Sequence, residues 1–359
     1  MKTLVQVVPT LPPGVDGLGD YSLYLAQKLK QDWHINTRFV VGDPNWHGKP
    51  KIGDFSVMAV PERSAKSLGI LLEDTAQILL QYSGYGYAQR GCPNWLAKGL
   101  KTWQQQGGYL VTFFHELYAY DHGPPWSSSF WYFPLQKRVA RRLVQLSDRT
   151  LTSKQAYAQR LQALHPALKS PILSLPVFST IGEPPDLTPL NQRRRRMIVF
   201  GHRNSRTLAY ERDFAQLERV CQALEITEIE DIGVPLDFPL PFVNGVAVRP
   251  WGVLDAGKIS ALMQDAIAGF LSTPPPAYLA KSTIFAAYCA HGLIPVLTLP
   301  QQQPEDHLTT MQHYWHAHPE QEGLSFNRGN AIAHQAHRWY QDHSLSKTAK
   351  IIAYLFNGI

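Results

Sequence analysis

Three cysteines in 359 residues are too few and too scattered to staple a fold. Cys92, Cys221 and Cys289 leave one thiol over in any pairing, and they show no CxxC or Cys/His metal spacing. That excludes a disulfide framework and a structural zinc site, and predicts buried free thiols in a reducing cytoplasm. Long apolar runs are also missing. None approaches the ~18 residues of a membrane span. The N-terminus, MKTLVQVVPTLPPG, has one lysine and a brief apolar patch, which is not the make-up of a signal peptide. The common nucleotide and metal signatures are absent as well. There is no GxGxxG after the first apolar run and no GxxxxGK[ST]. The pair His115–Glu116 has Ala119 where a zincin needs its second histidine. No basic stripe interleaved with aromatics occurs, which argues against a nucleic-acid binder.

What is present is a well-stocked core. Hydrophobic residues make up 44% and charged residues 17%, so disorder is not expected. The net charge of +6 suits a phosphorylated ligand or an anionic membrane. The one dense basic run, Arg193 to Arg196, leads straight into an apolar strand. It reads as a solvated strand entry, with a phosphate-lining or membrane-facing role as the alternatives.

Strand and helix signals alternate along the first half: LVQVV at 4–8, a helix from Asp20 with Tyr21, Leu25 and Leu29 on one face, then a strand at 35–42. A helix is predicted over 63–77, a strand over 78–83, a helix from Pro93, a strand over 108–117 and a long helix over 131–146. The stretch 178–192 is rich in Pro, Gly and polar residues and reads as a linker. The alternation then restarts with a strand at 196–202. Later come helices capped by Asp255 and closed by Gly292, and a strand at 294–299. Such alternation predicts an α/β protein with mostly parallel sheets covered on both faces. Residues 1–180 form an N-terminal Rossmann-like domain, 181–340 a C-terminal one, and 341–359 a terminal helix returning to the first. Two such domains of about 150–200 residues leave a cleft as the default ligand site.

Four places carry candidate chemistry. In PPGVDGLGDYS, Gly14, Gly17 and Gly19 lie between the first strand and its helix, where the backbone can approach an anion at a helix N-terminus. A tight strand–helix turn is the alternative. His115 and Glu116 stand at the end of a strong strand, where a histidine can meet a sugar hydroxyl or simply serve structure. In FGHRNSRT, Arg203 and Arg206 have the chemistry to bind phosphate oxygens, or are ordinary loop cations. In TPPPAYLAKST, Lys281, Ser282 and Thr283 open a helix with hydroxyls, a cation and backbone N–H groups, or form a plain capped helix.

Taken together, the loop GVDGLGDYS, the strand-end His115, the restart at FGHR and the segment ending AAYCAHGLIPVL resemble the GT-B glycosyltransferases over nearly the whole chain. The likeness is greatest to the retaining group that includes sucrose synthases and bacterial mannosyltransferases. The resemblance implies a GT-B fold, two Rossmann-like domains facing across a cleft. It implies hexosyl transfer from a nucleoside diphosphate sugar to an unknown acceptor, retaining, with no metal and no cofactor besides the donor. Carried over by position, Gly17 and Gly19 would face the donor phosphates or sugar, and His115 the anomeric carbon. Arg203, Arg206, Lys281, Ser282 and Thr283 would hold the diphosphate. The pattern departs in two respects: the places of the family's two glutamates fall near Leu279 and Ala287, and His202 and Thr207 occupy the spacing of its Arg–Lys pair. A catalytically silent binding protein of the same fold, or a nucleotide-sugar epimerase, are the other readings.

Tyr118, Tyr120, Trp126, Phe130, Trp131 and Tyr132 crowd the region after His115. Tyr118 and Trp126 are candidate acceptor-binding residues, since pyranose rings stack on such faces. With Arg138, Arg141 and Arg142 following, peripheral contact with a membrane by an otherwise cytoplasmic protein is a further expectation.

Overall fold

The computed structural model describes residues 3–14, 17–118, 126, 128–168, 170–301, 303–318 and 323–357; Val15, Asp16 and Tyr120 of the motifs above lie outside them. The chain divides into two compact units, Met1–Pro176 with Thr348–Ile359, and Val177–Lys347.

The first unit runs β1 (Thr3–Val8), α1 (Gly17–Trp33), β2 (Asn36–Val41), β3 (Lys51–Ile52), β4 (Phe55–Ala59), α2 (Ala65–Leu72) and β5 (Gln77–Tyr82). It continues through α3 (Gly84–Tyr87), α4 (Asn94–Gln104), β6 (Tyr109–Phe114), α5 (Ser128–Leu146), β7 (Arg149–Thr152), α6 (Gln155–Leu164) and β8 (Leu173–Ser174). The eight strands lie in the order β3-β4-β2-β1-β5-β6-β7-β8. All neighbours are parallel except β3 and β4. β5 and β6 are buried along almost their whole length, as expected of central strands with helices on both faces. Besides buried threonines, this apolar sheet buries two glutamines: Gln6 on β1 and Gln81 on β5.

Tyr21, Leu25 and Leu29 form the buried stripe of α1, as the spacing predicts. Asp20 does not cap that helix. α1 starts three residues earlier, and Asp20 sits in its first turn, where a carboxylate still favours the positive end of the dipole. α2 is shorter than the predicted 63–77. Ser64 caps it by accepting from Ser67 N at 3.1 Å, and it stops at Leu72, where Glu73 and Asp74 would oppose the helix dipole. The terminal residues 348–357 pack on this unit. Gln77 Nε2 donates to Phe356 O at 3.1 Å, and Trp33 meets Tyr354 edge-on.

The second unit runs β9 (Arg196–Phe200), α7 (Arg203–Tyr210), α8 (Phe214–Ala223), β10 (Glu228–Ile232), β11 (Phe242–Val243), β12 (Val246–Gly252) and α9 (Ala256–Gln264). β13 (Ala268–Leu271), α10 (Thr283–Ala290), β14 (Ile294–Leu297), β15 (Trp315–His316), α11 (Phe326–Gln341) and α12 (Leu345–Asn357) complete the chain. The sheet order is β11-β12-β10-β9-β13-β14-β15, parallel except for the β11–β12 hairpin. Asp255 caps α9 by accepting from Lys258 N at 2.9 Å, and Gly292 follows α10 at φ 63°, both as predicted.

Two sequence expectations change here. The segment 178–192 is not a loose linker. Ser179 N donates to Tyr340 Oη at 2.9 Å, Tyr340 Oη donates to Glu183, and Leu190 is buried, so the segment is strapped onto α11. Nor is the run Arg193 to Arg196 uniformly solvated. Arg194 points outward, but Arg193 and Arg196 are buried. Arg196 pairs with Glu228, with Glu230 at 3.1 Å and with Asp265 at 3.1 Å. Of the three thiols, Cys221 and Cys289 are buried and Cys92 is half-buried.

Candidate functional site

In each sheet the chain turns from one side of the first strand to the other: β1 is flanked by β2 and β5, and β9 by β10 and β13. Such switch points open a crevice at the carboxyl ends of the strands, where ligands of open α/β sheets bind. All four sequence motifs fall at carboxyl ends: after β1, β6, β9 and β13.

In the first unit the loop after β1 returns tightly to α1. A Cβ at Gly19 would lie 2.9 Å from Thr10 O and 3.3 Å from Leu11 Cα. Gly19 is buried and its lack of a side chain lets the helix close on the loop, which is a packing role. Gly17 is exposed, with nothing near a Cβ placed there, and it opens the helix N-terminus to solvent.

His115 follows β6 and is half-buried. Its ring stacks on Phe113 with centroids 4.3 Å apart and meets the edge of Tyr21 at 5.0 Å. Its Nε2 lies 2.7 Å from Gln81 Oε1, and Gln81 Nε2 donates to Gln6 Oε1 at 3.1 Å. An amide oxygen only accepts, so this arrangement puts the imidazole hydrogen on Nε2 and makes Nδ1 the basic nitrogen. The next residue, Glu116, is exposed, and its Oε2 accepts from Ser83 Oγ at 3.3 Å. Tyr118 is half-buried against Phe133, and burial raises its hydroxyl above the ordinary tyrosine range, with Arg160 opposing. Trp126 is 86% exposed.

In the second unit β9 is followed by Gly201, whose φ of 135° is open to glycine and strained for other residues. A Cβ there would lie 2.5 Å from Ile284 Cδ1, so the turn after β9 is pressed against the first turn of α10. The N-termini of α7 and α10 are thereby brought side by side. His202 caps α7 by accepting from Asn204 N at 3.3 Å, and Ser282 caps α10 by accepting from Phe285 N at 3.2 Å. Arg203, at the start of α7, is partly exposed and pairs with Asp237 on the surface. Lys281 is half-buried with its ammonium 5.8 Å from the Tyr278 ring centroid, and Thr283 is half-buried at the first position of α10.

Arg206 is placed elsewhere. It is 1% exposed, binds both oxygens of Asp231 and donates Nη1 to Val234 O at 2.7 Å. Tyr210 Oη adds a third hydrogen bond to Asp231 at 2.9 Å. This guanidinium holds α7 to β10 from the buried side of the helix and does not face the anion-accessible edge. Leu279 and Ala287, at the family's glutamate positions, are both fully buried.

Sequence reasoning missed two groups. One is the Gln6–Gln81–His115 chain, whose signal was visible: a glutamine inside each of two otherwise apolar strands, LVQVV and ILLQY. The other lies at the ends of β13 and β14. There Thr298 Oγ1 donates to Asp213 Oδ2 at 2.7 Å, and Arg212 binds Asp213 at 2.6 Å and Ser272 O at 3.1 Å. Nothing local announced it, because its members are 85 residues apart. Among the described residues, no three His, Cys, Asp or Glu side chains gather as a metal set.

No protein-family model matches the chain, and no curated protein matches it by sequence. Solved structures do match its fold. Anabaena HepE in complex with UDP and glucose is 11% identical, with TM-score 0.61 over 100% of both chains. A glycosyltransferase from Rickettsia africae is 11% identical, with TM-score 0.60 over 100% of this chain and 99% of that one. A Listeria monocytogenes protein assigned as a UDP-N-acetylglucosamine 2-epimerase is 12% identical, with TM-score 0.55 over 100% and 97%. The fold of this chain is GT-B, with two Rossmann-like units built on parallel-dominated sheets.

Proposed function

We propose that this chain transfers a hexosyl group from a nucleoside diphosphate sugar to a hydroxyl acceptor. The observation that carries the reading is the paired helix N-termini of α7 and α10 at the switch point between β9 and β13, held together by Gly201 against Ile284. Two helix N-termini present free N–H groups and partial positive charge, which is what a departing diphosphate requires. Arg203, Lys281 and the hydroxyls of Ser282 and Thr283 supply the remaining donors. The solved structures of this fold, bound to UDP and glucose in HepE, support the same ligand class.

The reaction is retaining and metal-independent in this reading. The bond from the anomeric carbon to the diphosphate oxygen breaks. The acceptor oxygen bonds that carbon on the same face, and its proton passes to the leaving diphosphate. The second unit holds the nucleotide and the first receives the acceptor, with Tyr118 and Trp126 as sugar-stacking platforms. His115, fixed by Gln81, stabilises charge developing near the anomeric carbon. Positioning and charge stabilisation supply most of the acceleration. The protein works in the cytoplasm, in contact with the membrane surface where its acceptor is lipid-linked.

Titration calorimetry with UDP, GDP and their sugars tests this. One of them binds at micromolar concentration, and Arg203→Ala weakens it; no heat with any of them overturns the reading. The apolar pair Leu279 and Ala287 favours a second reading, a binding protein of the same fold without transferase activity. A nucleotide-sugar that binds and yields no glycoside, free sugar or isomerised sugar supports that one.

A further inference from the structure

At the opposite, amino-terminal edge of the second sheet lies a pocket of about 320 Å³. Its floor is Arg193, its apolar wall is Leu187, Leu190 and Phe326, and Asn327, Asn330 and His334 of α11 line the rest. The residues 187–193 precede β9 and Gly292 precedes β14, so the pocket shares no residue with the paired helix N-termini.

Arg193 is the unusual member. It is 7% exposed, yet no carboxylate pairs with it among the described residues. Its bonds go to neutral carbonyls: Nε to Thr188 O at 2.7 Å, and Nη1 to Ala266 O at 3.0 Å and His291 O at 2.9 Å. Nη2 makes none of these bonds. It lies 3.5 Å from the place a Cβ would take on Gly292, another pocket residue. Burial pulls the guanidinium down to about 10, and the more distant Asp265 only partly offsets that. A buried cation without a counter-charge is costly unless an anion is supplied. The neighbouring imidazole does not compete for it: His337 has its ring nitrogens engaged by Cys289 O at 2.9 Å and Gln341 at 3.0 Å.

We propose that this pocket is a second ligand site, for a small organic carboxylate whose anionic end meets Arg193 Nη2 and whose apolar body rests on Leu187, Leu190 and Phe326. One cation balances one carboxylate, whereas a phosphate monoester brings nearly two charges at neutral pH. The pocket's size suits a molecule of that kind. Asn327, Asn330 and His334 supply donors and acceptors for its polar substituents. The site is independent of the transferase reading and stands or falls without it.

The test uses the full chain with benzoate, phenyl phosphate and the neutral benzyl alcohol as probes, read by saturation-transfer NMR and thermal shift. Benzoate binds with a dissociation constant of about 1 mM or tighter. Benzyl alcohol binds at least about tenfold more weakly, as expected if the charge contributes one decade. Phenyl phosphate binds no tighter than benzoate. Arg193→Met abolishes the preference for benzoate over benzyl alcohol. Should that variant not fold, Asn330→Phe fills the pocket from a half-exposed position, leaves Arg193 in place and loses benzoate binding with its Tm unchanged. Excess UDP leaves benzoate binding intact. The proposal is overturned if benzoate does not bind, if Asn330→Phe binds it as the wild type does, if benzyl alcohol binds equally well, or if UDP displaces it.

Discussion

His115 takes its orientation from Gln81, whose side-chain oxygen lies 2.7 Å from the imidazole Nε2. Gln81 is itself buried and tied to Gln6, so the ring's tautomer is fixed from inside the sheet. Replacing Gln81 by leucine removes that tie and leaves Gln6 without its partner. We expect a loss of about 1–3 kcal/mol in stability. We also expect kcat to fall on the order of 10- to 100-fold with the donor KM little changed, since orientation and not ground-state binding is lost. Gln81→Glu keeps an acceptor at the same place and should restore part of kcat. If Gln81→Leu and the wild type share one kcat at a temperature where both are folded, His115 needs no such positioning.

Arg203 and Arg206, three residues apart on α7, should behave in opposite ways. Arg206 and Asp231 form a fully buried bidentate pair, so Arg206→Ala leaves a buried carboxylate unmatched and costs about 3–5 kcal/mol. Arg206→Met with Asp231→Leu removes both charges and should recover much of that loss. Arg203→Ala touches a partly exposed pair, so Tm should move little while affinity for the preferred nucleoside diphosphate drops on the order of tenfold. Chemical denaturation and calorimetry on the same three proteins separate the two roles. A selective loss of nucleotide affinity in folded Arg206→Ala would reverse the assignment.

That contrast also marks what the sequence made legible. The sheets were readable because parallel strands buried on both faces are nearly continuous apolar runs, as in LVTFF and IPVL. Caps at Asp255 and Ser282 were readable because capping is local. Which arginine faces outward was not. Helical phase turns Arg206 inward toward Asp231, 25 residues away, and that partner exists only once β10 lies beside β9. The same holds for Arg193, whose neighbours Met263, Ala266 and His291 lie 70 to 98 residues downstream.

The second unit should lose stability in mild acid through His291. Its ring is fully buried, with Nδ1 donating to Ala287 O at 2.8 Å and Nε2 accepting from Ser260 Oγ at 2.8 Å. Desolvation above all, helped by the charge of Arg193, pushes it down to about 4, while the bond to Ala287 opposes. The folded pKa lies below the unfolded one, so between them the unfolded state binds the extra proton. Stability from this group is therefore complete above about pH 6.5 and falls progressively toward pH 4. The span is worth about 3 kcal/mol from this one group. Denaturant titrations at about pH 7, 6, 5 and 4 should show the decline, and His291→Gln, which keeps a donor and an acceptor without a titrating proton, should flatten it. An equal slope in both proteins would assign the acid sensitivity to other groups, buried His343 first among them.

The exposed face of α5 predicts binding to anionic membranes. Trp131 is 67% exposed and Leu135 40% exposed, one turn apart. Lys137, Arg138, Arg141 and Arg142 follow with no acidic residue anywhere on the helix, and all four are exposed. No helix among the described residues is long and apolar enough to cross a membrane. Each cation near an anionic bilayer contributes about 1 kcal/mol, and the attraction decays within a Debye length. The protein should therefore float with vesicles containing phosphatidylglycerol and not with neutral phosphatidylcholine vesicles, and added salt should release it. Arg138→Glu with Arg141→Glu should abolish flotation at unchanged Tm, because both side chains are exposed. Trp131→Ser should weaken flotation and leave its salt dependence in place. Flotation that is indifferent to lipid charge, or to the paired glutamates, would remove α5 as the membrane-facing element.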